Sequence, residues 1–201
     1  MKRGEAVEAL KQLKDKSLQK LAEEHGVSIK LPDGKPNKGW AGHTIELYLG
    51  LEKNSRQEPD GGDWELKSVP YKLSRGVLVP KETMAITMIN PLDVANTPFE
   101  QSHLLNKLQS LVILKRSVGK DLFEPSFILD VKEFDLEGDL YEAVKKDYEE
   151  IQSCLLDSSR GFGSLTGAMG FYVQPRTKGA GHGSTSRAFY ARPRFIEAIF
   201  S

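Results

Sequence analysis

Between Ser158 and Ile196 the chain has no acidic residue, six basic ones (Arg160, Arg176, Lys178, Arg187, Arg192 and Arg194) and seven of its eighteen glycines. Paired aromatics, Phe171-Tyr172 and Phe189-Tyr190, punctuate this stretch. Aromatic pairs imply burial or stacking, so the segment reads as folded short strands and turns and not as a tail. Immediately upstream, Asp121 to Asp157 holds twelve acids against three bases, a net −9. The overall balance of 28 Lys+Arg and 28 Asp+Glu hides this asymmetry. A basic, glycine-rich, acid-free segment is the electrostatic footprint of a polyanion-binding surface.

Length bounds the rest. At 201 residues the chain can bury a sizeable core without staples, as one or two domains. A single cysteine, Cys154, excludes an intrachain disulfide framework and a cysteine-based zinc site. It reads as a small packing residue on a long helix. No apolar run reaches the ~18–20 residues that a membrane helix needs, and the N-terminus lacks an apolar signal core, so a cytoplasmic setting is expected.

The periodicity predicts a helix over residues 4–25 with Val7, Leu10, Leu13, Leu18 and Leu21 on its stripe, then a proline-bracketed turn at 31–37. A second helix is expected from about Gly39 to Leu51. A strand follows around Trp64–Val69, bounded by Pro70, and a buried strand at 84–89. Thr97-Pro98-Phe99-Glu100 has the form of a capping box opening a helix to about Gln109. Strands at 111–114 and 126–131, a helix over 138–156, strands at 171–173 and 188–190, and a helix after Pro193 complete the expectation of a mixed α/β domain. If the strand at 188–190 alternates, Phe189 faces the core and Tyr190 does not.

Three acid-x-Lys pairs occur, at Asp33/Lys35, Glu65/Lys67 and Asp130/Lys132. Only Glu65/Lys67 lies in a predicted strand and follows a Pro-Asp pair, Pro59-Asp60. Residues two apart on a strand share a face, so Glu65 and Lys67 project together. Asp60, across a Gly-Gly turn, can converge with Glu65. Two carboxylates with waters are the usual protein share of a Mg²⁺ site that also takes a substrate phosphate. Lys67 beside such a site can orient or help deprotonate an attacking water. Asp63 shares the same face on an extended strand, so spacing leaves Asp60 and Asp63 as rival second ligands. His43, His103 and His182 lack metal-ligand spacing, and His182 is at most a contact to a nucleic-acid backbone. The glycines of 161–170 fit neither a dinucleotide nor a P-loop motif, so no nucleotide cofactor is expected.

Several blocks resemble the MutH family of DNA mismatch-repair endonucleases and its relatives among type II restriction endonucleases that cut at GATC. They are Asn37-Lys38-Gly39-Trp40-Ala41-Gly42, Ile45-Glu46-Leu47-Tyr48-Leu49-Gly50, Pro59-Asp60 and Glu65-Leu66-Lys67-Ser68-Val69-Pro70. The order continues through Asn90-Pro91-Leu92, Glu100-Gln101-Ser102-His103, Asn106-Lys107-Leu108 and Lys146-Asp147-Tyr148-Glu149-Glu150-Ile151. It closes with Tyr172-Val173-Gln174-Pro175-Arg176-Thr177-Lys178 and Phe189-Tyr190.

The resemblance implies a restriction-endonuclease-like fold: a central mixed sheet flanked by helices, with two lobes around a DNA cleft. The whole chain, 1–201, would be one endonuclease domain. Its helical and catalytic lobe would span about 1–95, and its DNA-recognition lobe about 96–201. It further implies Asp60, Glu65 and Lys67 as the catalytic set, with Glu46 as a helix-borne carboxylate beside the metal and Lys107 as a second active-site lysine. Lys38, Arg176, Lys178 and Arg187 would contact DNA, and Tyr190 would sense adenine methylation. The implied cofactor is Mg²⁺ and the implied substrate double-stranded DNA, with a MutL-type activator as partner and no membrane. The alternatives are a stand-alone restriction enzyme cutting both strands and a binding module without catalysis. The gap between Asp60 and Glu65 is shorter than the family's, which keeps Asp63 in contention.

Overall fold

The computed structural model describes residues 1–51, 59–119, 121, 124–179 and 185–201; His182 lies outside the described residues. Two compact units are present. One comprises Met1–Lys81 and Ser110–Phe134, the other Glu82–Gln109 and Asp135–Ser201. The chain thus passes between units at 81/82, 109/110 and 134/135.

The first unit holds a four-stranded mixed sheet in the order β2-β1-β4-β5. Its strands are β1 (Glu65–Ser74), β2 (Val77–Pro80), β4 (Ser110–Ser117) and β5 (Ile128–Asp135), the last residue of β5 falling just past the unit boundary. β1 pairs antiparallel with β2 through a tight hairpin and parallel with β4, Glu65 opposite Leu111 and Lys67 opposite Ile113. Parallel neighbours need a crossover connection. Here residues 82–109 supply it, which is why the second unit interrupts the first.

Pro70 does not end β1. Its carbonyl accepts from Lys81 N–H (2.8 Å), just beyond the last registered β2 pair, Tyr71 with Pro80. The N and C=O of a strand residue face the same side, so the missing N–H also faces β2, where the ladder is ending, and the β4 ladder is untouched.

Helices α1 (Arg3–Lys11), α2 (Leu18–Glu24) and α3 (Trp40–Tyr48) pack in this unit. Leu10, Leu18, Leu21, Ile45, Trp64, Leu66, Val112, Leu114 and Ile128 form its core. The single helix expected over 4–25 is two. The apolar stripe takes a five-residue step from Leu13 to Leu18, out of phase with 3.6 residues per turn. Ser17 adopts an extended conformation at the break, and Leu18 N–H donates to Ser126 C=O (2.8 Å).

The second unit holds an antiparallel three-stranded sheet in the order β3-β7-β6: β3 (Met84–Met88), β6 (Val173–Thr177) and β7 (Arg187–Ala191). Its helices are α4 (Pro91–Asn96), α5 (His103–Leu108), α6 (Gly138–Leu156) and α7 (Pro193–Phe200). Helix α4 was not anticipated, although Asn90-Pro91 is its start signal. Asn90 Oδ1 accepts from Leu92 N–H (3.1 Å), and Pro91 occupies the first helical position. The expected helix from Thr97 is instead a short 3₁₀ turn, Phe99–Gln101, followed by α5. Ser102 caps α5, accepting from Leu105 N–H (3.1 Å), while Glu100 pairs with Lys145 (2.5 Å). Phe99, Tyr148 and Phe189 form a ring cluster with centroids 5.6 and 5.9 Å apart. As the alternation requires, Phe189 is buried and Tyr190 half-buried. Cys154 is a buried free thiol. Among the described residues no helix is long and apolar enough to cross a membrane.

Candidate active site and nucleic-acid interface

The start of β1 gathers Asp60, Glu65 and Lys67. Glu65 is 3 % exposed and Lys67 17 % at the side chain, and the ammonium donates to Glu65 Oε1. The other oxygen, Oε2, accepts from Asp60 N–H (3.2 Å). Asp60 Oδ2 accepts from Leu66 N–H (3.2 Å). Each carboxylate is therefore held by a donor from the other's neighbourhood, and Lys67 adds a positive charge that offsets their mutual repulsion. The predicted convergence of Glu65 and Lys67 on one strand face is what the register delivers.

The turn before the strand explains why Asp60 arrives there. Gly61 N–H donates to Trp64 C=O (2.8 Å) and Gly62 N–H to Pro59 C=O (3.2 Å). Gly62 has φ +89°, a left-handed conformation that favours glycine. Asp63 lies on this turn, ahead of the first strand residue, and is exposed. Strand alternation consequently does not extend to it.

Asp60 and Glu65 supply hard carboxylate oxygens of the kind Mg²⁺ takes. Among the described residues no group of three or more acidic, histidine or cysteine side chains is arranged to hold a metal ion. The chemistry of the donor set fits a cation shared with waters and substrate oxygens. Glu46 is half-buried on α3 and is not gathered into a three-residue group with the pair. Lys38 is exposed, one residue before the Gly39 cap of α3.

The second unit carries the remaining predicted residues. Lys107 is on α5 and 7 % exposed. Gln174 pairs with Tyr190 and Arg176 with Ala188, so Gln174, Arg176 and Tyr190 share one face of the sheet. The Arg176 guanidinium lies over the Tyr190 ring, 5.7 Å from its centroid, and donates to Thr83 Oγ1 (2.8 Å). Arg176 and Lys178 are exposed. Lys178 N–H donates to Ser186 C=O (3.0 Å), holding the two strands together at this end.

Part of the basic segment has a structural role. Arg192 donates to the carbonyls of Gly167 (2.6 Å), Met169 (3.0 Å) and Gly170 (3.1 Å). Arg187 donates to the Thr185 carbonyl (3.3 Å) and lies 5.8 Å from the Phe162 ring centroid. From α6, the buried Asp147 accepts from the N–H groups of Phe171 (2.6 Å), Tyr172 (2.7 Å) and Val173 (2.7 Å). Sequence reasoning did not assign Asp147 a role. An acid among the heptad-like apolar positions of α6, facing the same side as Val144, Tyr148 and Ile151, was the available signal.

The family model described as DNA mismatch repair enzyme MutH matches residues 49–134. That of the MvaI/BcnI restriction endonuclease family matches residues 7–85. The DNA mismatch repair protein MutH of Vibrio cholerae serotype O1 is 28 % identical over 197 residues, covering 91 % of this chain and 81 % of the relative. That of Shewanella woodyi is 29 % identical over 213 residues, covering 92 % and 85 %. The type II restriction enzyme Sau3AI of Staphylococcus aureus is 28 % identical over 173 residues, covering 83 % of this chain and 35 % of that enzyme. The mixed α/β architecture, with a mixed sheet flanked by helices, is consistent with the restriction-endonuclease-like fold of the MutH group. The chain is a homologue of the MutH mismatch-repair proteins and of a type II restriction enzyme.

Proposed function

We propose that this chain is a metal-dependent endonuclease that hydrolyses phosphodiester bonds in double-stranded DNA at GATC sites, with Mg²⁺ as its cation. The observation that carries the reading is the Asp60–Glu65–Lys67 network at the head of β1. Its support is the likeness to MutH proteins and to Sau3AI.

In this reading Asp60 and Glu65 would hold the cation, with Glu46 as the helix-borne carboxylate beside it and Asp63 as the rival ligand. When bound, Mg²⁺ supplies Lewis acidity toward the phosphoryl oxygen and offsets the negative charge that develops there. Lys67 would orient the attacking water or help to deprotonate it. Lys107 is the second lysine of the catalytic set. Arg176 and Lys178 contact the duplex, Arg176 suiting a guanine edge or a phosphate. Lys38 and Arg187 also contact the duplex. Tyr190, on the face it shares with Arg176, senses adenine methylation. The enzyme acts in the cytoplasm.

Two biological roles fit this chemistry. In the first, the chain nicks the unmethylated strand in mismatch repair and is activated by a MutL-type partner; the MutH relatives, aligned over most of both chains, favour it. In the second, it is a restriction enzyme that cuts both strands unaided, which the Sau3AI and MvaI/BcnI matches favour.

The test is incubation of supercoiled plasmid with Mg²⁺, comparing unmethylated, hemimethylated and fully methylated GATC sites, with and without a MutL-type protein. Weak nicking that the partner stimulates and full methylation blocks identifies the first role. Vigorous double-strand cleavage without a partner identifies the second. Replacing Glu65 or Lys67 with Ala should abolish cutting and preserve DNA binding. Separate replacement of Asp60 and Asp63 decides the second ligand. Binding without cleavage under all conditions would leave only the non-catalytic module.

A further inference from the structure

We propose that Trp64 is a positioning residue of the metal site: its buried indole is the platform that fixes the Asp60-Gly61-Gly62 turn, and with it the spacing of the Asp60 and Glu65 carboxylates. The inference rests on the reading of Asp60, Glu65 and Lys67 as the catalytic set.

Four residues separate Asp60 from Glu65, so the chain must reverse within them to return the first carboxylate to the second. The reversal is pressed against Trp64. A Cβ placed on Gly61 would overlap the indole atoms Cε2, Nε1 and Cδ2. Only glycine allows the backbone this approach. The ring cannot yield, because it is 1 % exposed within the core of the first unit and its Nε1–H donates to the Met1 carbonyl (3.3 Å).

Gly61 N–H also donates to Trp64 C=O, so the same residue supplies both the floor and the closing bond of the turn. Asp60 immediately precedes this fixed point. Its N–H reaches Glu65 Oε2 and its Oδ2 receives Leu66 N–H, both at 3.2 Å. Displacing the turn by the thickness of a methyl group breaks both bonds. Two neighbouring carboxylates repel, and without these bonds they would separate. The platform thus sets the pair before any cation arrives, and preorganisation of this kind strengthens binding by reducing what must be ordered. A tryptophan that merely filled the core would not need a glycine backbone against its ring.

The experiment uses the full chain with terbium(III) as a luminescent probe of hard-oxygen sites, excited through tryptophan. The Mg²⁺ concentration for half-maximal plasmid cleavage and thermal unfolding are measured in parallel. The unaltered chain should give sensitised emission, and Glu65→Ala should abolish it. Gly61→Ala should raise the half-saturating terbium and Mg²⁺ concentrations about tenfold. Trp64→Phe should lose most of the emission but keep its Mg²⁺ requirement within about threefold, since a flat ring remains. The double variant Gly61→Ala/Trp64→Val should return the Mg²⁺ requirement toward that of the unaltered chain, because valine lacks the Cε2, Nε1 and Cδ2 atoms that the new methyl would strike.

Gly61→Ala with both cation dependences unchanged overturns the platform, as does a double variant no better than Gly61→Ala alone. Emission that survives Glu65→Ala, or is absent from the unaltered chain, overturns the underlying assignment of the site instead.

Discussion

Replacing Asp147 with Ala is expected to destabilise the second unit by about 4 kcal/mol. The carboxylate is 4 % exposed and accepts three backbone N–H groups, from Phe171, Tyr172 and Val173, at 2.6–2.7 Å. Hydrogen bonds to a charged group contribute roughly 1.5–3 kcal/mol each, which sets an upper range of about 4.5–9 kcal/mol for the three. The residues differ in access to water. Val173 is fully buried, Tyr172 half-buried and Phe171 exposed. The Val173 donor loses its full bond, about 2–3 kcal/mol, and the other two rehydrate and lose about 1 kcal/mol or less each. The sum is near 4 kcal/mol.

Gly170 limits relaxation of the loop. Its φ is +73°, and a Cβ there would overlap the Val173 carbonyl oxygen, so the segment cannot readily slide to new partners. For a chain of this size 4 kcal/mol corresponds to a fall in unfolding midpoint of about 8–16 °C. Urea unfolding followed by circular dichroism gives the free energy, and calorimetry gives the midpoint. A loss below about 1 kcal/mol would refute the view that Asp147 anchors the entry to β6. Because β6 carries Arg176, DNA affinity should fall with the same variant even though Asp147 is far too buried to touch DNA.

Burial, assisted by the charge of Asp93, pushes the Tyr148 phenol up to about 12. Below about pH 10, the ordinary phenol value, both folded and unfolded chains keep the proton and this group adds no pH dependence. Between pH 10 and about 12 the unfolded chain ionises first, so stability should decline with rising pH. Tyr148→Phe should flatten that decline in denaturation curves at pH 9–12, while costing about 1 kcal/mol at neutral pH for the bond to the Thr97 carbonyl; an unchanged slope would contradict it. Phe189→Ala should cost about 3–5 kcal/mol in urea unfolding, because the ring is buried in the cluster with Tyr148, whereas Tyr190→Ala should cost much less and show its effect in methylation discrimination during cleavage. Arg176→Ala should weaken duplex binding and lessen its salt dependence with little effect on stability, and Arg192→Ala should do the reverse, losing its carbonyl bonds to 167–170; the two are separated by titrations at several salt concentrations beside thermal unfolding.

Local patterns were legible where the signal is itself local. Helix α6 follows the 3.6-residue recurrence of Val144, Tyr148, Ile151 and Leu155 and has the expected bounds. The shared face of Glu65 and Lys67 follows from strand alternation alone. The hairpin partner β2 was missed, since Leu73, Val77 and Leu78 are exposed and its strand character comes from pairing with β1. Thr97 looked like a helix cap because its spacing is right, yet Ser102 takes the role and Glu100 is engaged with Lys145 of α6. A capping box competes with tertiary partners that are 45 residues away in sequence.

The sequence by itself determined the chemistry available: an acidic pair and a lysine near one strand, a basic acid-free segment with paired aromatics, and a mixed α/β pattern. It could also determine which residues share a strand face, because that depends only on a two-residue period. The tertiary structure decided which aspartate is hydrogen-bonded beside Glu65, and which of the segment's arginines serve the protein's own carbonyls. Asp60 and Asp63 are equivalent by spacing. They part only because a glycine turn packs against a buried indole and ends before the strand begins. Arg176 and Arg192 are likewise the same residue in the same charge run. One is exposed beside Tyr190, and the other is bonded to a loop that it closes. Such distinctions depend on what the rest of the chain brings within hydrogen-bond reach, and that is a property of the fold.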